Sequence, residues 1–221
     1  MTLTYDDEHV PEDGSLRYAD FQKFVKRVRK FIAPERLRYF VAGEYGERTS
    51  RPHYHACLFG VDWPDKVVFR GNGDGRTVYT SGALDRLWER GFCSTGEVAP
   101  ASARYVAQYV LKKFNDPVTD GRVPEFCRMS NRRGIGERWF DQWAGDVFPH
   151  DFIVVDGVKM KPPRYYDKLL KRRDLVMLEE EVMLSRDRKA RERFPDNSDE
   201  RLLVKERVAR AGREFFRKKQ L

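Results

Sequence analysis

The run Arg51-Pro52-His53-Tyr54-His55-Ala56 places two imidazoles two positions apart in a β-prone segment. On a strand, side chains at i and i+2 share a face, so His53 and His55 offer two nitrogen donors to one side. Paired neutral imidazoles are a common beginning for a divalent metal site. Two nitrogens alone bind weakly, so the third ligand is expected to be an oxygen. Glu44, in Gly43-Glu44-Tyr45-Gly46 at the end of the preceding strand, falls opposite or beside His53 if the two strands form a simple hairpin. Cross-strand Cβ atoms are then about 5 Å apart, close enough to share an ion. Glu47, in the connecting loop, is the rival oxygen donor. Local hydrogen bonding alone is the weaker reading, because two of the four histidines fall in this triplet.

A second group lies on one predicted helix, Ser102 to Phe114. At about 100° per residue, Ala103, Val106, Ala107, Val110, Leu111 and Phe114 form one apolar stripe, and Tyr105, Tyr109 and Lys112 fall on the other side. With a core stripe already complete, the tyrosines are expected to face solvent, a partner or a site. A phenolate can attack a phosphodiester and become a covalent phosphotyrosine. Its free pKa near 10 makes it a weak nucleophile at neutral pH, so a nearby ammonium such as Lys112 and a Lewis-acidic metal would both assist.

The elements that must position these groups read as strand and helix in alternation. Thr2 to Tyr5, Leu37 to Ala42, Tyr54 to Gly60 and Phe92 to Val98 are β-prone, with weaker strands around Val67 and Val78 flanking a turn at Gly71 to Gly75. Phe21, Phe24, Val25, Val28 and Ile32 recur at helical spacing, and Leu84 to Arg90 is a short helix. Antiparallel strands with helices on one face predict an α+β fold. Lys161-Pro162-Pro163 marks the expected domain boundary, dividing a body at 1–161 from a basic helical tail at 162–221. A further break at Pro195-Asp196-Asn197 precedes Ser198, which reads as a helix N-cap.

Composition narrows the classes. The 221 residues are 40% hydrophobic and 13% aromatic, enough for one sizeable core. No apolar run approaches membrane-spanning length, and Met1 to Glu8 has neither the basic nor the apolar part of a signal peptide. Three widely spaced cysteines argue for a reducing compartment rather than a disulfide framework. The net charge is +8, and the excess is concentrated at the end: Lys168 to Leu221 holds 17 basic and 11 acidic residues. A polyanionic partner is expected. Arg128, Arg132, Arg133 and Arg138 are expected to cluster in a glycine-containing loop after the tyrosine helix, and Arg51 abuts the histidine strand. These five are the candidate phosphate contacts. Trp139 and Trp143 are read as core residues ahead of base-stacking platforms.

Thr2-Leu3-Thr4-Tyr5, then Glu44 with His53-Tyr54-His55, then Tyr105-x-x-x-Tyr109-x-x-Lys112 stand in the order of the three motifs of the HUH endonuclease superfamily. The chain resembles the rolling-circle replication initiators of small single-stranded DNA phages, the Microviridae and especially the gokushovirus-like group. Met129 to Gly136 and Pro163 to Lys168 share the resemblance, which covers about residues 1 to 170. It implies a ferredoxin- or RRM-like antiparallel sheet of about five strands flanked by helices, with the paired histidines on a central strand. It implies a nick at the replication origin dependent on Mg2+ or Mn2+, a 5′-phosphotyrosine intermediate and religation. By position, His53 and His55 carry over as metal ligands, Glu44 as the third, and Tyr105 and Tyr109 as nucleophiles. Single-stranded DNA and the viral origin are the implied partners, with host helicase and polymerase, in the host bacterial cytoplasm and away from any membrane. Gln108 stands where relatives often carry a lysine, and the chain opens directly on the first motif. Rival readings are a non-catalytic nucleic-acid-binding module on an RRM-like sheet, a water-activating metallohydrolase, and a relaxase or transposase of the same superfamily.

Overall fold

Alternation organises the N-terminal strand: Leu3 is fully buried, while Thr2 and Thr4 on either side are half-buried. In a computed structural model of the chain, the described residues are 1–71, 77–112, 121–148 and 150–218, with the side chains of 105, 108–112 and 215–218 outside that description. The chain divides into two units, Met1–Ile135 and Gly136–Leu221. The first runs β1 (Thr2–Thr4), α1 (Tyr18–Phe31), β2 (Arg38–Tyr45), β3 (Pro52–Phe59), β4 (Val67–Gly71), β5 (Thr77–Thr80), α2 (Gly82–Trp88), β6 (Cys93–Ser94), α3 (Pro100–Lys112) and β7 (Phe126–Met129). The second runs α4 (Glu137–Val147), β8 (Ile153–Val155), β9 (Val158–Met160), α5 (Arg164–Arg172), α6 (Val176–Glu192), a 3-10 turn (Phe194–Asn197) and α7 (Asp199–Lys218).

The first unit is an antiparallel sheet in the order β6-β1-β3-β2-β7, so the histidine strand is central, as the resemblance implied. The fold is α+β. Its principal core lies between one face of the sheet and α1 with α2, where Leu3, Tyr54, Ala56 and Val41 meet Phe21, Phe24, Val28, Leu84 and Trp88. Helix α1 behaves as its periodicity requires: Phe21, Phe24, Val25 and Val28 are buried, and Lys23, Lys26 and Lys30 are exposed. Arg27 leaves the polar face to donate to the carbonyls of Leu87 (2.6 Å) and Trp88 (3.1 Å), which end α2. Ser81 caps the other end of α2, its hydroxyl accepting from the Leu84 amide at 3.1 Å.

Several expectations need correction. Helices cover both faces of the sheet rather than one, because Val106 of α3 packs on Ala42 and Cys57 opposite the principal core. The stripe on α3 is narrower than its periodicity suggested, since Ala107 is exposed. The strand expected from Phe92 shrinks to Cys93–Ser94. Arg128 belongs to a strand, β7, not to a loop. Gly43 of β2 makes room for that strand: a Cβ there would lie 2.9 Å from the Phe126 ring. The turn at Gly71 to Gly75 lies almost wholly outside the described residues, as does Phe114.

The second unit has its own core of Phe140, Ala144, Val147, Phe148, Tyr166, Leu169, Leu170 and Val182. Helix α4 and the β8–β9 hairpin precede Lys161-Pro162-Pro163 yet fall in this unit, so contacts divide the chain earlier than the prolines suggested. Trp139 and Trp143 are 41% and 42% exposed, outside that core, because Phe140, Ala144 and Val147 form the inward stripe of α4. Trp139 instead stacks on Tyr166 at 5.8 Å. Ser198 accepts from the Arg201 amide (3.4 Å) at the start of α7, the expected N-cap. No helix among the described residues is long and apolar enough to cross a membrane.

Tyr54 is the most heavily committed side chain of the principal core. Its hydroxyl accepts from the Arg17 amide (3.0 Å), donates to the Arg17 carbonyl (3.0 Å) and lies 2.9 Å from the Tyr5 hydroxyl. Burial pushes its pKa up to about 12, so it stays neutral across the physiological range. Tyr54→Phe keeps the ring but strands the buried Arg17 groups. It is expected to cost about 1–3 kcal/mol in urea unfolding, and an unchanged unfolding midpoint would show the network to be dispensable.

Candidate metal centre

The β2–β3 register sets Glu44 directly opposite His53 and Ala42 opposite His55. Because opposed residues of an antiparallel pair share a face, the two imidazoles and the carboxylate all project from the side of the sheet opposite Tyr54. They converge on a single oxygen: His53 Nε2 lies 2.6 Å and His55 Nε2 2.9 Å from Glu44 Oε1. The rings stand nearly perpendicular, with centroids 5.0 Å apart. Among the described residues, Glu44, His53 and His55 form a group able to hold a metal ion. Glu47, the rival donor, is exposed in the connecting turn and is not part of it.

The supporting shell is backbone and hydroxyl. His53 Nδ1 lies 3.1 Å from the Arg51 carbonyl, an acceptor only, so Nδ1 carries the proton and Nε2 presents its lone pair. His55 Nδ1 lies 3.1 Å from the Thr2 hydroxyl, which completes the same arrangement on the second imidazole. Thr2 was not among the residues singled out for the site. Its signal was present, because a polar residue on a strand whose neighbour Leu3 is core must face the other way. Glu125 supports the strand end, its Oε1 accepting from the Tyr45 amide at 2.7 Å.

Electrostatics bind the three ligands together. Burial alone would raise the Glu44 carboxyl, but hydrogen bonds from His53 and His55 outweigh it and bring the pKa down to about 2. For His53, burial disfavours the imidazolium. The Glu44 hydrogen bond, the Arg51 carbonyl and the Glu44 and Glu125 charges overcome this and raise its pKa above the usual 6.5. The donor chemistry fits a divalent ion: one anionic oxygen and two neutral nitrogens, orientable through their outer atoms.

The other candidates are distributed as follows. Helix α3, which carries Tyr105, Gln108, Tyr109 and Lys112, runs over β2 and β3 on the metal-ligand face, with Val106 against Ala42 and Cys57. The side chains of those four residues lie outside the described part. Arg51 is held structurally, donating to the Tyr5 carbonyl at 2.8 Å and pairing with Asp7. Arg128 is opposite Val41 and lies over the rings of Phe126 (5.6 Å) and Tyr18 (6.0 Å), on the face away from the imidazoles. Arg132 and Arg133 are exposed in the turn after β7, and Arg133 adopts a left-handed φ of 54°. Arg138 is exposed on α4 of the second unit, so the expected cluster is split between the two units.

A metal must displace the His53 proton. Affinity for Mn2+, measured by calorimetry, is therefore expected to fall as pH drops from 8 to 6, approaching about tenfold per unit below the raised His53 pKa. Flat affinity across that range would exclude His53 from the ligand set. Thr2→Val removes the partner of His55 Nδ1 and is expected to weaken Mn2+ binding about tenfold in the same titration. Unaltered binding would show that the hydroxyl does not orient His55.

Known proteins carry the same sequence pattern. The chain is 34% identical over 183 residues to replication-associated protein VP4 of Bdellovibrio phage phiMH2K. It is 33% identical over 187 residues to replication-associated protein ORF2 of Spiroplasma virus 4. Both alignments cover 78% of this chain and 57% of the relative, so the chain spans little more than half their length. Replication-associated protein ORF4 of Chlamydia phage 1 is 28% identical over 188 residues, 45% of its length. No solved structure matches. The family of ORF2-type replication-associated proteins matches residues 1–114, from β1 through the metal-ligand strands to the end of α3. Covering more than half of the sequence and every element of the candidate centre, that match shows that the chain belongs to the ORF2-type replication-associated protein family.

Proposed function

We propose that this chain is a rolling-circle replication initiator that nicks single-stranded DNA at a viral origin and rejoins it through a tyrosine. The observation that carries the reading is the convergence of Glu44, His53 and His55 on the face over which α3 passes. Bound there, Mg2+ or Mn2+ would polarise the scissile phosphate as a Lewis acid. The mixed nitrogen and oxygen donor set suits Mn2+ at least as well as Mg2+.

The residues of the chain supply the rest. The phenolic oxygen of Tyr105 or Tyr109 forms a bond to phosphorus, the phosphorus–O3′ bond breaks, and the departing oxygen takes up a proton to become a free 3′-hydroxyl. The 5′ side is thereby held as a phosphotyrosine, and attack by a 3′-hydroxyl on that phosphorus reverses the step and rejoins a strand. Lys112, three residues beyond Tyr109, would stabilise its phenolate, and Tyr105 relies more on the metal. Two tyrosines one helical turn apart would let one hold a strand end while the other cuts. Arg51, Arg132, Arg133 and Arg138 are assigned to phosphates, and Arg128 to a strand path along the opposite face. Single-stranded DNA and the origin are the partners, with host helicase and polymerase, in the host bacterial cytoplasm.

The test is a covalent adduct. With Mn2+ and an oligonucleotide labelled on the 3′ side of the nick, denaturing electrophoresis should show label on the protein. Tyr109→Phe is expected to impair the first nick more than Tyr105→Phe, and the double variant to form no adduct. A labelled protein band in the Tyr105→Phe/Tyr109→Phe variant would sink the mechanism. Strand cleavage without any adduct would favour a water-activating hydrolase instead.

A further inference from the structure

Strand β4 is exposed at every position, and its pairing with β5 contains an irregularity. Val68 is opposite Tyr79 and Arg70 opposite Val78, which leaves Phe69 as the extra residue of a β-bulge. Bulges re-aim a side chain, and this one brings the Phe69 ring to 5.4 Å from the ring of Phe92. Both remain largely in water, Phe69 60% and Phe92 49% exposed. Pairing explains their mutual contact but leaves much of each ring's surface uncovered.

The position of Phe92 relates this pair to the metal-ligand face. The Thr4 amide donates to the Phe92 carbonyl at 3.0 Å, continuing the β1–β6 register by one residue. Gly91, with φ of 133°, allows the close approach, since a Cβ there would lie 2.5 Å from the Thr4 carbonyl oxygen. Thr4 is itself opposite His53. Phe92, Thr4 and His53 therefore form one row across three strands on one face, with Phe92 about 10 Å from His53 at two strand spacings. Exposed Arg70 adjoins Phe69 and supplies a charge complementary to phosphate.

We propose that Phe69 and Phe92 form a base-stacking platform that holds single-stranded DNA beside the metal-ligand face, with Arg70 on the adjacent phosphate. Every base has a π-face, so such a platform is sequence-tolerant and grips unpaired strands rather than duplex. The proposal rests on the DNA-nicking reading for its substrate, and adds residues outside all three sequence motifs.

The experiment uses the full chain and fluorescence anisotropy with two probes, an oligothymidylate and an abasic strand of the same length. The double variant Phe69→Ala/Phe92→Ala is expected to bind the oligothymidylate about tenfold or more weakly than wild type and the abasic strand equally well. Phe69→Tyr/Phe92→Tyr should restore the preference for bases. Unchanged oligothymidylate affinity, or an equal loss on both probes, would overturn the platform. So would a shift in sedimentation of the alanine variant without loss of affinity, which would make the patch a protein interface. Adduct formation by wild type is scored separately: its absence alongside retained base preference would strike the nicking reading and leave the platform standing.

Discussion

Everything at the candidate centre depends on Tyr54 being locked into the core between two histidines. A strand has only two faces, and the central residue of His53-Tyr54-His55 is fixed to one of them by burial and by hydrogen bonds to Arg17 and Tyr5. His53 and His55 are thereby compelled to the other face. A slip of one residue would exchange the sides, burying both imidazoles beside Phe21 and Trp88 and expelling the tyrosine. The aromatic cluster of Tyr5, Tyr54, Phe21, Phe24 and Trp88 is thus a register device as well as a core.

From that register the rest of the centre follows. Glu44 is placed opposite His53, and β1 on the far side of β3 brings Thr2 under His55. Each ligand has its outer atom occupied, which leaves both Nε2 atoms aimed at one carboxylate oxygen. In the ion-free arrangement, Glu44 serves as the partner of His53 and His55, and the depressed carboxyl and elevated imidazole pKa values are two views of that attraction. The same negative oxygen and the same nitrogens are what a divalent cation requires, so the centre is organised in advance of its ion.

The charge of the second unit is less available than the sequence count suggests. Arg173 is tied to Glu137 and Asp141, and Arg186 to Asp151 and Asp167. Arg201 and Lys205 share Asp196. The first two of these arginines tie together the helices around Phe140 and Leu169, and Glu137 and Asp151 are almost fully buried. Such pairs order a small core more than they attract a polyanion, since exposed pairs contribute little and a buried carboxylate cannot be left alone. A helical end rich in basic residues therefore includes a folded part.

Local pattern alone determined the elements whose chemistry repeats along the chain. The i, i+2 histidines required a strand with both on one face, the 3-1-3 spacing of Phe21, Phe24, Val25 and Val28 required α1, and Ser198 announced α7. The order of the motifs pointed to the family, which the matches then showed. Tertiary structure alone decided what depends on partners distant in sequence. Glu44 prevailed over Glu47 because the hairpin register aligns it with His53. Thr2 became a supporting residue because β1 pairs with a strand some fifty residues later. Arg128 went to the face opposite the imidazoles because β7 adds to the edge beside β2. Trp139 and Trp143 stayed outside their core because Phe140 and Ala144 filled it. Periodicity is carried by neighbours a few residues apart and is written in one stretch of chain. Strand order and register are set by the mutual burial of distant side chains, so no single stretch contains them.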